Sequence, residues 1–147
     1  MTVIDSDDGG RPLPSATPLS PIRLLLSREP RVLLIHYGAE LSPANMVVLD
    51  GLVTTFVARE GAADSIMHFD GVPTNFPMST IESMARLPPR MPTHRRVYVG
   101  SDLALYGCCR LYATYQEAQG FDPPKVVRSL DEAMSFYQAK ASSFHPA

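Results

Sequence analysis

From residue 22 onward, short apolar runs alternate with segments of helical length, and this alternation constrains the fold more than any other feature of the chain. Ile22–Leu26 and Arg31–Tyr37 are rich in Leu, Ile and Val. Only Ser27-Arg28-Glu29-Pro30 separates them, which predicts an antiparallel hairpin. Ser65–Phe69, Arg95–Val99 and a run near Lys125–Arg128 then read as single strands with a helical pattern between each pair. A helix of this length returns the chain to a parallel neighbour. The expected class is therefore α/β: a mixed, mostly parallel sheet of about five strands, with an N-terminal hairpin and about four helices.

The helices are signalled mainly by their ends. Ser42 suits a cap, Pro43 the first turn and Gly61 the stop of the first helix, while Met46, Leu49, Val53, Phe56 and Val57 recur on one face. Asp50, Thr54 and Glu60 fall on the face that suits water. Val72–Met78 contains Pro73 and Pro77 and reads as a loop. Ser79-Thr80-Ile81-Glu82 has the spacing of a capping box, and the short helix it opens should stop before Pro88-Pro89. Gly100-Ser101-Asp102 leads into what reads as the longest helix, to about Gln119, with Gly120 beyond it. Leu105, Cys108, Cys109, Leu111, Tyr112 and Tyr115 give that helix a broad apolar face. Ser129-Leu130-Asp131-Glu132 is a second capping box, opening a terminal helix through about Lys140.

A chain of 147 residues, 45% hydrophobic and 19% charged, suits one domain with one core. Residues 1–21, with three aspartates, Gly9-Gly10 and four prolines, read as a flexible tail. Residues 22–140 form the domain, and 141–147 a C-terminal tail. A net charge of −2 and a pI near 6.0 give no overall attraction for nucleic acid or anionic lipid. The basic stretch Arg86–Arg96 reads as a solvated connector. Residues 1–10 lack the apolar core of a secretory signal, and no apolar run reaches the ~18 residues of a membrane helix. The two cysteines, Cys108 and Cys109, are adjacent, which suits reduced thiols in a cytoplasm.

Candidate chemistry gathers where parallel strands end and helices begin: His36–Ser42, Asp70–Thr80, Gly100–Asp102 and Arg128–Leu130. Helix N-termini there can hold an anion, although Ser42, Ser79, Ser101 and Ser129 also serve as ordinary caps. Tyr106 and Arg110 lie four apart on one helix face, either clamping a ligand or lying together on the surface. Gly107, inside a helix, points to close approach of that helix to the sheet. His36, His68, His94 and His145 show no metal-ligand spacing. Asp70 and Asp102 both fall at the strand ends, with nothing to place them within reach of each other. No nucleophile elbow, phosphate-binding loop or dinucleotide fingerprint is present, so no catalytic residue, metal or cofactor is assigned.

The order of elements over about Ile22–Tyr137 resembles the STAS domain, the fold of anti-sigma-factor antagonists. The C-terminal half is similar to a group of small bacterial STAS-like proteins, through Arg96-Val97-Tyr98-Val99-Gly100-Ser101-Asp102, Tyr106-Gly107, Arg110 and Val126–Ala133. The resemblance implies a regulatory hydroxyl at the start of the second helix. Thr80 takes the phosphorylated place with Ser79 before it, while Met78 stands where the motif has an acid and Ile81 where it has glycine.

The expected function is a non-enzymatic regulatory or protein-interaction module. The alternative is a domain binding a small anion, nucleotide or lipid at helix N-termini. The candidate residues are Ser79, Thr80, Ser101, Asp102, Tyr106 and Arg110. The expected partner is another protein or a small anionic ligand, with no nucleic acid and no membrane insertion. Tyr112, Tyr115 and Phe121 either form a patch for self-association or complete the core.

Overall fold

The computed structural model describes residues 21–147, so the expected N-terminal tail lies outside the described residues except for Pro21. Strand β1 (Ile22–Arg28) turns at Glu29-Pro30 into antiparallel β2 (Arg31–Tyr37), with Ile22 opposite Tyr37 and Arg28 opposite Arg31. The chain continues through α1 (Pro43–Glu60), β3 (Asp64–Phe69), α2 (Met78–Ala85) and β4 (Arg96–Gly100). It ends with α3 (Leu103–Ala118), β5 (Lys125–Val127), α4 (Leu130–Tyr137), a short 3-10 turn and β6 (Phe144–Pro146). The sheet order is β5-β4-β3-β2-β1-β6. Neighbours from β2 to β5 are parallel and β1 is antiparallel to both β2 and β6. The class is α/β with a mixed, mostly parallel sheet. Among the described residues, no helix is long and apolar enough to cross a membrane.

Alternation along the strands builds two cores. Leu33, Ile35 and Tyr37 of β2, with Met67 and Tyr98, meet Leu49, Val53 and Phe56 of α1 and Leu105 and Cys109 of α3. Val32 and Leu34, with Ile66, Val97, Val99 and Val127, meet Ala133, Met134 and Tyr137 of α4 on the opposite face. Tyr137 is locked there by its hydroxyl, which donates to the Ser65 carbonyl at 3.1 Å. Tyr112, Tyr115 and Phe121 are half-buried rather than exposed, and Tyr112 stacks on Tyr98 with ring centroids 5.3 Å apart. Tyr112 thereby packs against the core.

Local chemistry explains α1 and α4 well. The Ser42 hydroxyl accepts from Asn45 N at 3.2 Å, and Gly61, at φ 85°, takes the conformation that ends the helix. Ser129 and Glu132 form the full reciprocal box: Ser129 Oγ accepts from Glu132 N at 3.1 Å, and Glu132 Oε1 accepts from Ser129 N at 3.2 Å.

The structure departs from the sequence-based expectations at several places. The box expected at Ser79–Glu82 does not form. Helix α2 starts at Met78 with Pro77 as its cap, so Ser79 is already helical and Glu82 reaches Arg86 instead, at 3.5 Å. The phase of α2 is set by burying Ile81 and Ala85, which outweighs a cap worth about 1 kcal/mol. At α3, Asp102 rather than Ser101 is the cap, its Oδ1 accepting from Leu105 N at 2.8 Å. Helix α1, with 18 residues, is longer than α3, with 16. Residues 144–146, expected in a tail, instead extend the sheet beside β1, and α4 stops at Tyr137 with Gln138 left-handed at φ 56°.

The close approach of α3 to the sheet is the last departure. It falls at Gly100, where a Cβ would sit 2.6 Å from Tyr106 Cα. Nothing lies within 4 Å of a Cβ built on Gly107.

Candidate functional site

The residues singled out by sequence lie on the surface at the strand-end rim. Ser79 is exposed and Thr80 half-buried in the first turn of α2, and Ser101 and Asp102 are exposed ahead of α3. Tyr106 and Arg110 do meet: Arg110 Nη1 donates to the Tyr106 hydroxyl at 3.2 Å. Arg128, which opens the strand-end loop Arg128–Leu130, lies 5.0 Å from the centre of the same ring. Arg110 and Tyr106 thus lie together on one face of α3, Arg110 exposed and Tyr106 half-buried.

On the α4 side of the sheet, His36 and His68 sit opposite each other on β2 and β3, ring centroids 5.4 Å apart and edge to face. Arg23 is their neighbour on β1, paired with His36. Burial, then the Arg23 charge, holds His36 below its ordinary value of 6.5, and burial, then His36, does the same to His68; Asp70 pulls both the other way. The folded state therefore binds fewer protons than the unfolded chain just below pH 6.5. The contribution of the neutral pair is complete above that value and is lost as pH falls through the lowered folded values. Thermal melts should show a lower Tm at about pH 5.5 than at about pH 7.5. The double variant His36→Asn/His68→Asn should flatten that slope; an unchanged slope would assign it to other groups. No group of three or more His, Cys, Asp or Glu among the described residues could hold a metal ion.

A concavity lies elsewhere among the described residues. A cavity of about 330 Å³ opens between the sheet face and helices α1, α2 and α3. Its floor is Ile35, Tyr37, Met67, Phe69 and Tyr98 on the three central strands. Its walls are Met46, Leu49 and Val53 of α1, Ile81 and Met84 of α2, and Leu105, Cys108, Cys109 and Tyr112 of α3. The stretch Leu87–Met91 closes the remaining side, so a segment expected to be a solvated connector is a wall of the cavity. Met91 is buried, and its sulfur accepts from Ala63 N at 3.4 Å.

The polar groups of the cavity are mostly satisfied within the fold. The Tyr37 hydroxyl donates to the Glu40 carbonyl at 2.7 Å. Arg96 Nη2 donates to Gln116 Oε1 at 3.1 Å and to the Asp122 carbonyl at 2.5 Å. Burial pushes Tyr37 and Cys109 up to about 12, and raises Tyr98 and Cys108 as well. At neutral pH these phenols and thiols are therefore protonated and uncharged, which makes the thiols poor nucleophiles.

Nothing in the capping or strand-end chemistry marks the cavity in the sequence. One signal was present: Met46, Met67, Met84 and Met91 are four of the chain's seven methionines, and all four line it. Unbranched thioethers adapt to irregular apolar ligands, so methionines spread over unrelated elements are a usable hint. Compared with known proteins, the chain matches no family model and no curated protein.

Proposed function

We propose that this domain binds a small apolar molecule in the cavity between its sheet and helices α1, α2 and α3, as a non-enzymatic regulatory module. The observation that carries this is the cavity itself: a volume of about 330 Å³, near the lower end of the ~300–1,000 Å³ typical of ligand pockets, with walls almost wholly aliphatic, aromatic or methionine. The lipid-binding alternative from the sequence is thereby favoured over the anion or nucleotide one, and its place moves from the helix N-termini to the layer beneath them. Protonated thiols and phenols around the space support holding a ligand rather than transforming it.

The order of elements supports treating the chain as STAS-like, and two free thiols suit a bacterial cytoplasm. Ser79 and Thr80 lie on α2, the helix that also contributes Ile81 and Met84 to the cavity. Occupancy of the cavity and recognition of those hydroxyls by a partner protein would thus act on one element.

The test uses N-phenyl-1-naphthylamine, an uncharged dye that fluoresces in apolar surroundings. The wild-type protein should bind it with a blue-shifted emission. Cys108→Phe, which fills the cavity from its half-exposed edge, should weaken binding by about tenfold or more, with its far-UV spectrum unchanged. Absence of binding to the wild type, or equal binding to the variant, would overturn the proposal.

A further inference from the structure

We infer that the cavity selects amphiphiles with a carboxylate head, which Arg90 receives in place of the Asp50 carboxylate it now holds. This rests on the binding function proposed above and adds the chemical class of the ligand.

Three charged residues line the cavity: Asp50, Arg90 and Arg96. Arg96 is tied into the fold through Nη2, which donates to both Gln116 Oε1 and the Asp122 carbonyl, and its guanidinium lies 5.9 Å from the Tyr98 ring centre. Arg90 differs. Among the described residues its one hydrogen-bond partner is Asp50, reached through Nε, which leaves both terminal nitrogens of the guanidinium without a protein acceptor.

The pair is also asymmetric in depth. The Arg90 side chain is 31% exposed and the Asp50 side chain 57% exposed, so of the two lining residues the base is the less exposed to solvent. The Arg90 charge acts on both Tyr37 and Tyr98, two floor residues on β2 and β4, in each case opposing the effect of burial. Arg90 itself lines the apolar space, so its charge lies at the edge of that space. A planar fork of donors beside a greasy cavity matches the two ends of a fatty-acid-like molecule.

Exchange of carboxylates keeps the charge compensated. Asp50 sits on the exposed face of α1 and can turn into water, where its solvation is restored. The ligand head then occupies the fork, so Arg90 is never left as an unpaired, partly buried charge. A neutral head offers no such replacement, and an ammonium head would meet Arg90 with like charge. The cavity volume suits a chain of about ten carbons.

The experiment is displacement of the uncharged naphthylamine dye by decanoate and by decanol at about pH 7.5, where decanoate is ionised. Wild-type protein should release the dye at a decanoate concentration about tenfold below that of decanol. Arg90→Met should bring that ratio to about one by weakening decanoate, and Asp50→Asn should strengthen decanoate by removing its competitor. Equal displacement by the two compounds, or a preference that persists in Arg90→Met, would overturn the inference while leaving apolar binding intact. Failure of both compounds to displace bound dye from the wild type would likewise overturn the inference, whereas absence of dye binding would end the two proposals together.

Discussion

Gly100→Ala should destabilise the protein by about 3 kcal/mol, at the upper end for an overpacked core position, lowering Tm by about 10 °C. Gly100 ends β4, the strand that lies between β3 and β5. A Cβ there would lie 2.6 Å from both the Cα and N of Tyr106 and 2.8 Å from the Leu105 carbonyl carbon. These are backbone atoms of the first turn of α3, so no rotamer change relieves the clash. The whole helix start would have to lift. Lifting it would move Leu105, a cavity wall residue that is 2% exposed, together with the Asp102 cap.

The neighbouring glycine supplies the control with the opposite sign. Gly107 is exposed within α3 and has open space around it, so Gly107→Ala should stabilise by about 1 kcal/mol through helix propensity alone. Thermal melts of the two variants should move in opposite directions. A harmless Gly100→Ala would mean that α3 does not sit on β4 as described.

Gln116→Ala should cost about 3 kcal/mol and loosen α2 in particular. Gln116 is fully buried in the last turns of α3, an unusual place for an amide side chain. Its Nε2 donates to the carbonyl of Ala85 and, at 3.0 Å, to that of Leu87, while its Oε1 accepts from Arg96. Ala85 is the last residue of α2, where carbonyls lack helical partners, so one side chain caps α2 and ties it to α3 and β4.

Truncation would leave the buried Ala85 carbonyl without its partner and would remove the part-buried bonds to the Leu87 carbonyl and the Arg96 guanidinium. Hydrogen exchange should therefore quicken over residues 78–91 more than over β2 and β3, and dye binding should weaken because α2 and the following stretch wall the cavity. Gln116→Leu, which keeps the volume but not the amide, should behave nearly as badly. Preserved stability in Gln116→Leu would show that packing, not the three hydrogen bonds, holds α2 against α3.

The rim residues and the cavity differ in how they can be found. Ser129 and Glu132 lie three apart and satisfy each other, so their pairing is written into adjacent sequence. Tyr106 and Arg110 are likewise neighbours through helical spacing alone. Arg90 and Asp50 are 40 residues apart, and Gln116 is 31 residues from Ala85. Neither contact has a local signature. Arg128 joins Tyr106 only because β5 aligns beside β4, bringing Val127 opposite Val99.

Sequence alone determined the elements whose stability is local: the hairpin at Glu29-Pro30, the capped ends of α1 and α4, and the strand–helix alternation that makes the sheet largely parallel. Those features arise from hydrogen bonds and steric preferences acting over about four residues, so they can be read from a short window. Tertiary structure decided the start of α2, the pairing of β6 with β1, the close contact at Gly100 and the existence of the cavity. Each depends on where one element lies against another distant in the chain. An empty volume in particular belongs to no residue: it is what remains when three helices are held apart over one face of the sheet.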